Sequence, residues 1–430
     1  MMDDAQKTDQ EPLAKRALAA HHLLGIAISA VLYIICFSGM ISVFKEEIQL
    51  WEQSGDQTVS SLSPEATQVA AQNGMKADPT TAHVFIHMPT DQNQRAIVET
   101  DNKETYVDKD GNLGPEASRP WTDFLIDLHY YLHLPHSFGM IVVAIFGVFL
   151  FAMSVTGLVA HPNIFKDAFA FRRSKSEQIK QVDLHNRLAV WTAPFHISNS
   201  LTGAMIGLAV LSAAAVGTLK YDGDADVVFE PVFGAEPAVD SAPAPLANIA
   251  KALDYVNSKH GDTVPLYVIL HDPETRGQYL QIMSEHPRRL IYAEKYNFNG
   301  NGDFIDTVGS ADGHIGQQVA DSVYKVHFGQ FGGLPVKLAF GLFGIALLYI
   351  IHAGMRIYFI KRAAKGYAAA KMQRGWMAIV YGVPAMLLAT LLLSIAMPSV
   401  AGSLVPIFWG GLVVILLGSL FWPDRTAHDS

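Results

Sequence analysis

Residues 127–139 read DLHYYLHLPHSFG, and the twenty-one that follow, 140–160, carry no charge. An uncharged apolar run of about 20 residues is what a helix needs to cross the hydrocarbon of a bilayer. His129, His133 and His136 therefore stand at the mouth of a membrane helix. An ionisable side chain so close to hydrocarbon is costly, and chains keep one there for a site.

Five more stretches reach about 20 mostly apolar residues. The six spans are read as 23–44, 138–160, 188–218, 334–360, 376–398 and 403–422. The chain has 430 residues, 50% hydrophobic and 17% charged, with a mean hydropathy of +0.21. That mixture implies membrane spans together with an aqueous part. The first span follows a polar segment, 1–22, that ends near Lys15 and Arg16; it is long and lacks a small-residue cleavage site, so it is read as a retained signal anchor. Basic residues crowd that segment and the loops 161–187 (Lys166, Arg172, Arg173, Lys175, Lys180, Arg187) and 361–375 (Lys361, Arg362, Lys365, Lys371, Arg374). The positive-inside rule makes all three cytoplasmic, with both termini inside. A net charge of -9 argues against nucleic acid as a partner.

Two long segments, 45–135 and 219–331, then fall outside. In the first, SPEATQVAAQNG carries helix signals: Ser63 as N-cap, Pro64 at the first helical position and Gly74 past the end. HVFIHMP, RAIVETD and ETYVDKDGNLG follow as short strands. In the second, PLANIAKALDYVNSKHG is the helix, and VPLYVILHD, GQYLQIMSE and RRLIYAEKYNFNGNGDFID are the strands. Each segment reads as one helix on its own small antiparallel sheet.

The two halves also match in the placement of His and Gly. His21 precedes Gly39 by eighteen residues and His185 precedes Gly203 by eighteen. His129 precedes Gly157 by twenty-eight, and His327 precedes Gly354 by twenty-seven. Each half is a span with a His at its inner end, an outer segment, and a span with a His at its outer end. The glycines read as points of close packing, where a helix or a flat ring can approach the backbone.

HHLLGIAISAVLYIICFSG, DLHYYL, LHNRLAVWTAPFHISNSLTG and HFGQFGG resemble the motifs of the PepSY-associated transmembrane family, and YVDKDGNLG resembles the last hairpin of a PepSY domain. The resemblance covers about residues 15–362. It implies a membrane all-α bundle of about six transmembrane helices, a pseudo-repeat of two helix pairs, carrying two small extracytoplasmic α+β PepSY-like domains. Some members are bacterial inner-membrane haem proteins that reduce ferric siderophores. The family often has His-Arg where this chain has His21-His22, so either His is a candidate ligand.

Haem also follows from the residues. The single cysteine, Cys36, lies in an apolar run and excludes a disulfide within the chain, a Cys-ligated cluster and c-type attachment. Paired histidines on two helices then hold a b-type haem most simply. Repeat symmetry pairs His21 with His185 at the inner ends and His129 with His327 at the outer ends, giving two haems about 30 Å apart along the axis. His133 shares a helix face with His129 and is its alternative. His196 and His352 lie inside spans without a repeat counterpart, and are candidates for the inner haem or for a hydrogen bond across the bundle. His161 reads as an inner-end cap, Arg187 and Arg356 as candidate propionate partners, and Trp51, Trp121 and Trp191 as interfacial anchors. Tyr106, Trp121, Tyr292 and Tyr296 are candidate lining for an outer pocket. No nucleotide fingerprint appears, so electrons come from a quinol or a cytoplasmic donor.

Two functions compete on these grounds. One is an oxidoreductase that passes electrons through two b haems to a ferric siderophore or other ferric chelate in the periplasm. The other is a haem-free scaffold whose PepSY-like domains bind a peptide or partner protein. Spans two and four lack a carboxylate for proton coupling, which argues against a transporter.

Overall fold

The computed structural model describes residues 12–53, 58–161, 163–169, 176–235, 239–286, 290–367 and 369–421. Residues 1–11 of the N-terminal segment, Arg172, Arg173, Lys175, Arg288, Arg289 and His428 lie outside the described residues. In chain order the helices begin with α1 (Leu13–Ser42), α2 (Lys45–Glu52), α3 (Pro64–Ala77), α4 (Pro120–Tyr131) and α5 (His136–Ala160). Next come α6 (Ile164–Asp167), α7 (Glu177–Trp191), α8 (Ala193–Lys220), α9 (Asp226–Phe233) and α10 (Ile249–Lys259). The last are α11 (Ile315–Phe328), α12 (Gly333–Ala364), α13 (Ala370–Ala396) and α14 (Leu404–Phe421), the last preceded by a 3-10 turn, Pro398–Ser403. The strands are β1 (His83–His87), β2 (Ala96–Thr100), β3 (Glu104–Val107), β4 (Leu113–Glu116), β5 (Val264–His271), β6 (Tyr279–Glu285), β7 (Glu294–Asn299) and β8 (Phe304–Val308).

These elements form two compact units. The first holds 1–45, 120–208 and 332–430, and the second 46–119 and 209–331. In the first unit α1 packs along α5 and α12, α12 along α7, and α13 along α14. Among the described residues, six helical segments are long and apolar enough to span a membrane: α1, α5, α8, α12, α13, and Pro398–Phe421. Their outward faces are apolar too: Phe138 is 60% exposed and Leu342 63%. A helix apolar all round suits lipid, because a helix already satisfies its own backbone polar groups.

Two helix breaks shape this unit. Between α4 and α5 the backbone of Leu132 and His133 turns left-handed (φ 53 and 55) before Pro135 caps the span. Between α7 and α8 the break falls at Thr192, so His185 sits on its own helix ahead of a span that starts at Ala193 and not at 188.

The second unit is a single antiparallel sheet in the order β4-β3-β2-β1-β5-β6-β7-β8. The expectation of two separate sheets is corrected here. Each segment does contribute four strands and one helix packed on them, but β1 pairs directly with β5, His83 opposite His271 and His87 opposite Tyr267. Val84, Ile86, Val98, Val268, Leu270, Leu280 and Ile282 point to one face, where α3 and α10 cover them in a shared core. At roughly 1.5–3 kcal/mol per buried large aliphatic side chain, that core is the main force joining the halves.

Ser63 caps α3, accepting from Ala66 N–H at 3.1 Å, as its place before Pro64 suggests. Gly74, read as a stop, lies inside the helix instead. A Cβ there would come within 2.6 Å of Val98, so glycine lets α3 approach the sheet. The closing hairpins of the two halves are alike in detail. Asp108 Oδ1 accepts from the N–H groups of Asp110 and Asn112, each at 2.9 Å. Asn299 Oδ1 accepts from Asn301 and Asp303 at 2.9 and 3.0 Å. Gly111 and Gly302 follow with φ of 86 and 73, the left-handed region that glycine enters without cost.

Candidate functional site

Three of the histidines singled out by position are seated in the same way. His21 Nδ1 donates to the carbonyl of Met153 at 3.0 Å. His129 Nδ1 donates to that of Ile35 at 2.9 Å, and His185 Nδ1 to that of Ile350 at 2.9 Å. In each case the accepting residue lies four before a glycine on the neighbouring helix: Gly157, Gly39 and Gly354. A Cβ on Gly157 would lie 3.2 Å from His21 Cε1, and one on Gly354 would lie 3.4 Å from His185 Cε1. A Cβ on Gly39 would overlap the His129 ring, lying 2.8 Å from its Nδ1. The glycine is a notch that lets an imidazole reach a helix carbonyl from the side.

The spacing of eighteen within one span therefore does not mark a contact. Each histidine packs against the glycine of another helix. A carbonyl oxygen only accepts, so Nδ1 carries the proton and Nε2 keeps its lone pair. A buried backbone acceptor thus fixes tautomer and ring orientation together.

His21 and His185 face each other, with ring centroids 6.3 Å apart and planes at 83°. Neither Nε2 has a hydrogen-bond partner among the described residues. Both rings line a cavity of about 570 Å³ within the first unit. His22 and His161 also line it, His161 as the C-cap of α5. So do Tyr358, which the sequence did not single out, and Lys361, Arg362 and Lys365, which it offered only as orientation signals.

His196 is 4% exposed and lines the same cavity. Thr192 gives its hydroxyl proton to Leu188 O at 2.7 Å, so at 2.5 Å it accepts from His196 Nε2–H. His352 lies on the same helix as the Ile350 carbonyl but does not line the cavity; its Nδ1 accepts from Trp376 Nε1 at 3.3 Å, with the rings stacked. His133 uses both nitrogens, Nε2 donating to Phe124 O at 2.8 Å and Nδ1 accepting from Trp409 at 3.1 Å. That pins the left-handed turn between α4 and α5. His327 lies on α11 in the second unit.

Other expected residues have structural work. Arg356 pairs with Glu177 at 3.5 Å, and the Arg187 guanidinium stands 5.9 Å over the Trp191 ring. Trp51 and Trp191 are 52% and 50% exposed, as interfacial anchors should be. Trp121 is not: it is 5% exposed and donates to Thr390 on α13. Tyr106 and Tyr296 are also buried, the first beneath Arg95 and the second in the sheet core. Tyr292 donates to Tyr267 at 3.4 Å.

Helices of this length and apolarity, joined to an aqueous antiparallel sheet, define a multi-pass membrane protein. Within that class the chain belongs to the PepSY-associated TM region family, whose model matches residues 18–362. It is also similar to an uncharacterized protein of Pseudomonas aeruginosa, 27% identical over 146 residues. That match spans 34% of this chain and 36% of that protein.

Proposed function

We propose that the chain is a di-haem b-type electron-transfer protein of the bacterial inner membrane, reducing a ferric siderophore or other ferric chelate on the periplasmic side so that iron leaves as Fe(II). The observation that carries this reading is the thrice-repeated seat of imidazole, helix carbonyl and glycine. Two of these seats face each other across one cavity.

The fit to haem rests on three features. His21 and His185, with ring centroids 6.3 Å apart, would hold the group between them. The cavity is apolar for most of its lining, and Lys361, Arg362 and Lys365 at its border are suited to two propionates. The glycines keep side chains from the ring positions. When bound, haem supplies a one-electron couple. The chain's residues would hold it by paired Nε2 donors, with the donor tautomer set by the Met153 and Ile350 carbonyls, and would exclude water with apolar helix faces.

His129 is the outer counterpart on this reading. The sequence repeat pairs it with His327. Both termini are cytoplasmic, the sheet unit is periplasmic, and a quinol or a cytoplasmic donor supplies the electrons.

The test is optical. Protein purified in detergent from haem-replete cells should be red, with a reduced α-band of b type and low-spin character. Reduced protein, freed of excess reductant, should be reoxidised by at least one ferric chelate as ferrozine traps Fe(II). A colourless, monodisperse preparation would favour the scaffold reading.

A further inference from the structure

At the seam of the sheet, four side chains fall in one row across adjacent strands. Asp101 follows the last residue of β2 and contacts His83, His83 pairs with His271, and His271 with Tyr279. This row lies in the second unit, on the face opposite the α3–α10 core, and plays no part in the cavity described above.

Its chemistry is specific. Asp101 is fixed by the Ala82 N–H at 2.6 Å, and its other oxygen accepts from His83 Nδ1 at 3.2 Å. An acceptor at Nδ1 places the proton there and leaves the lone pair on Nε2, as in the carboxylate–histidine pairs that orient metal ligands. His271 is held differently, stacked on Tyr279 at 4.2 Å with planes 2° apart. It has no hydrogen-bond partner among the described residues. The two rings stand 5.4 Å apart. Two imidazoles sharing one tetrahedral ion at about 2.0–2.1 Å have centroids roughly 5 Å apart.

We propose that His83 and His271 bind a divalent first-row transition cation at the sheet seam, with Asp101 orienting His83. Imidazole suits zinc, copper, nickel and ferrous iron. Among the described residues no group of three or more His, Cys, Asp or Glu is placed to hold a metal ion. The site is therefore a two-nitrogen one, with its remaining positions open to water or to the oxygens of an incoming chelate. Such a site exchanges its ion. Ferrous iron released by the chemistry proposed above falls within its class, but the site does not depend on haem.

The experiment uses the full chain in detergent, with an affinity tag free of histidine, dialysed to equilibrium against buffered Zn(II) and analysed for metal. Wild type should hold one equivalent more than His83→Gln or His271→Gln. Asp101→Asn should weaken that equivalent about 10- to 100-fold while the histidines remain. His87→Gln, on the same face of β1, should bind as wild type does. Equal zinc in wild type and both histidine variants would overturn the proposal, as would equal loss in His87→Gln. Because Asp101 is not itself a ligand, an undiminished Asp101→Asn also counts against it. The readout is zinc stoichiometry, so a colourless protein would refute the electron-transfer reading and leave this one standing.

Discussion

The molecule holds its histidines in two ways. In the membrane unit, His21, His129 and His185 each give Nδ1–H to a helix carbonyl beside a glycine. In the sheet unit, His83 and His87 face carboxylates, at 3.2 Å from Asp101 and 2.7 Å from Glu99. A carbonyl cannot change charge, so the Nδ1 proton in each membrane seat keeps its acceptor. A carboxylate can lose its charge, so the sheet seats answer to acid. The first arrangement suits a permanent ligand and the second an exchangeable one.

The largest expected effect comes from filling the notches. Gly157→Leu and Gly354→Leu drive carbon into the space of the His21 and His185 rings, and should abolish the inner-site absorbance while costing about 1–3 kcal/mol in overpacking. Gly418→Leu, where nothing stands within 4 Å, should change neither the spectrum nor the thermal midpoint. Retained absorbance in both cavity variants would break the link between notch and ligand.

A middle-sized effect separates His129 from His133. His133→Phe leaves the Trp409 N–H without its acceptor and should lower stability by about 1–3 kcal/mol with the haem spectrum intact. His129→Ala should do the reverse, losing absorbance with little change in midpoint. If His133→Phe bleaches a folded protein, His133 is the ligand.

The smallest effect is one of pH. The hydrogen bond from His87 holds the Glu99 carboxyl below its usual range. A depressed carboxylate contributes stability above its unfolded pKa, about 4.3, and that contribution disappears as pH falls through the lower folded value. His87→Gln should therefore destabilise the protein by less than about 1 kcal/mol at pH 7, since both side chains are partly exposed. The gap from wild type should close in the acid limb of a pH series of denaturant midpoints. A gap that widens there would mean the pair acts through His87 charge.

Much of the architecture is readable from local pattern. Long apolar runs with few charges reveal six spans because lipid imposes that composition directly. Ser63-Pro64 announces α3, and alternating apolar residues mark the strands. The pairing of β1 with β5 is not readable, since strand period says which face is buried and nothing about which strand lies alongside. The glycine notches are half readable: Gly39, Gly157 and Gly354 stand out as close-approach points, but the ring entering each comes from another helix. His133 misleads for a similar reason. Its spacing from His129 suggests a shared face, whereas its left-handed backbone and its partner Trp409, far along the chain, belong to tertiary structure.

The seam between β1 and β5 also bears on how this chain is made. The first half of the sheet leaves the ribosome with β1 as an open edge, its partner encoded nearly two hundred residues later. Until β5 arrives, the outer N–H and C=O groups of residues 83–87 offer a template for any passing strand. Phe85 and Ile86 make that edge sticky. A nascent or truncated chain ending before residue 264 should therefore dimerise or aggregate through β1, and the finished protein escapes this because its second half caps the first.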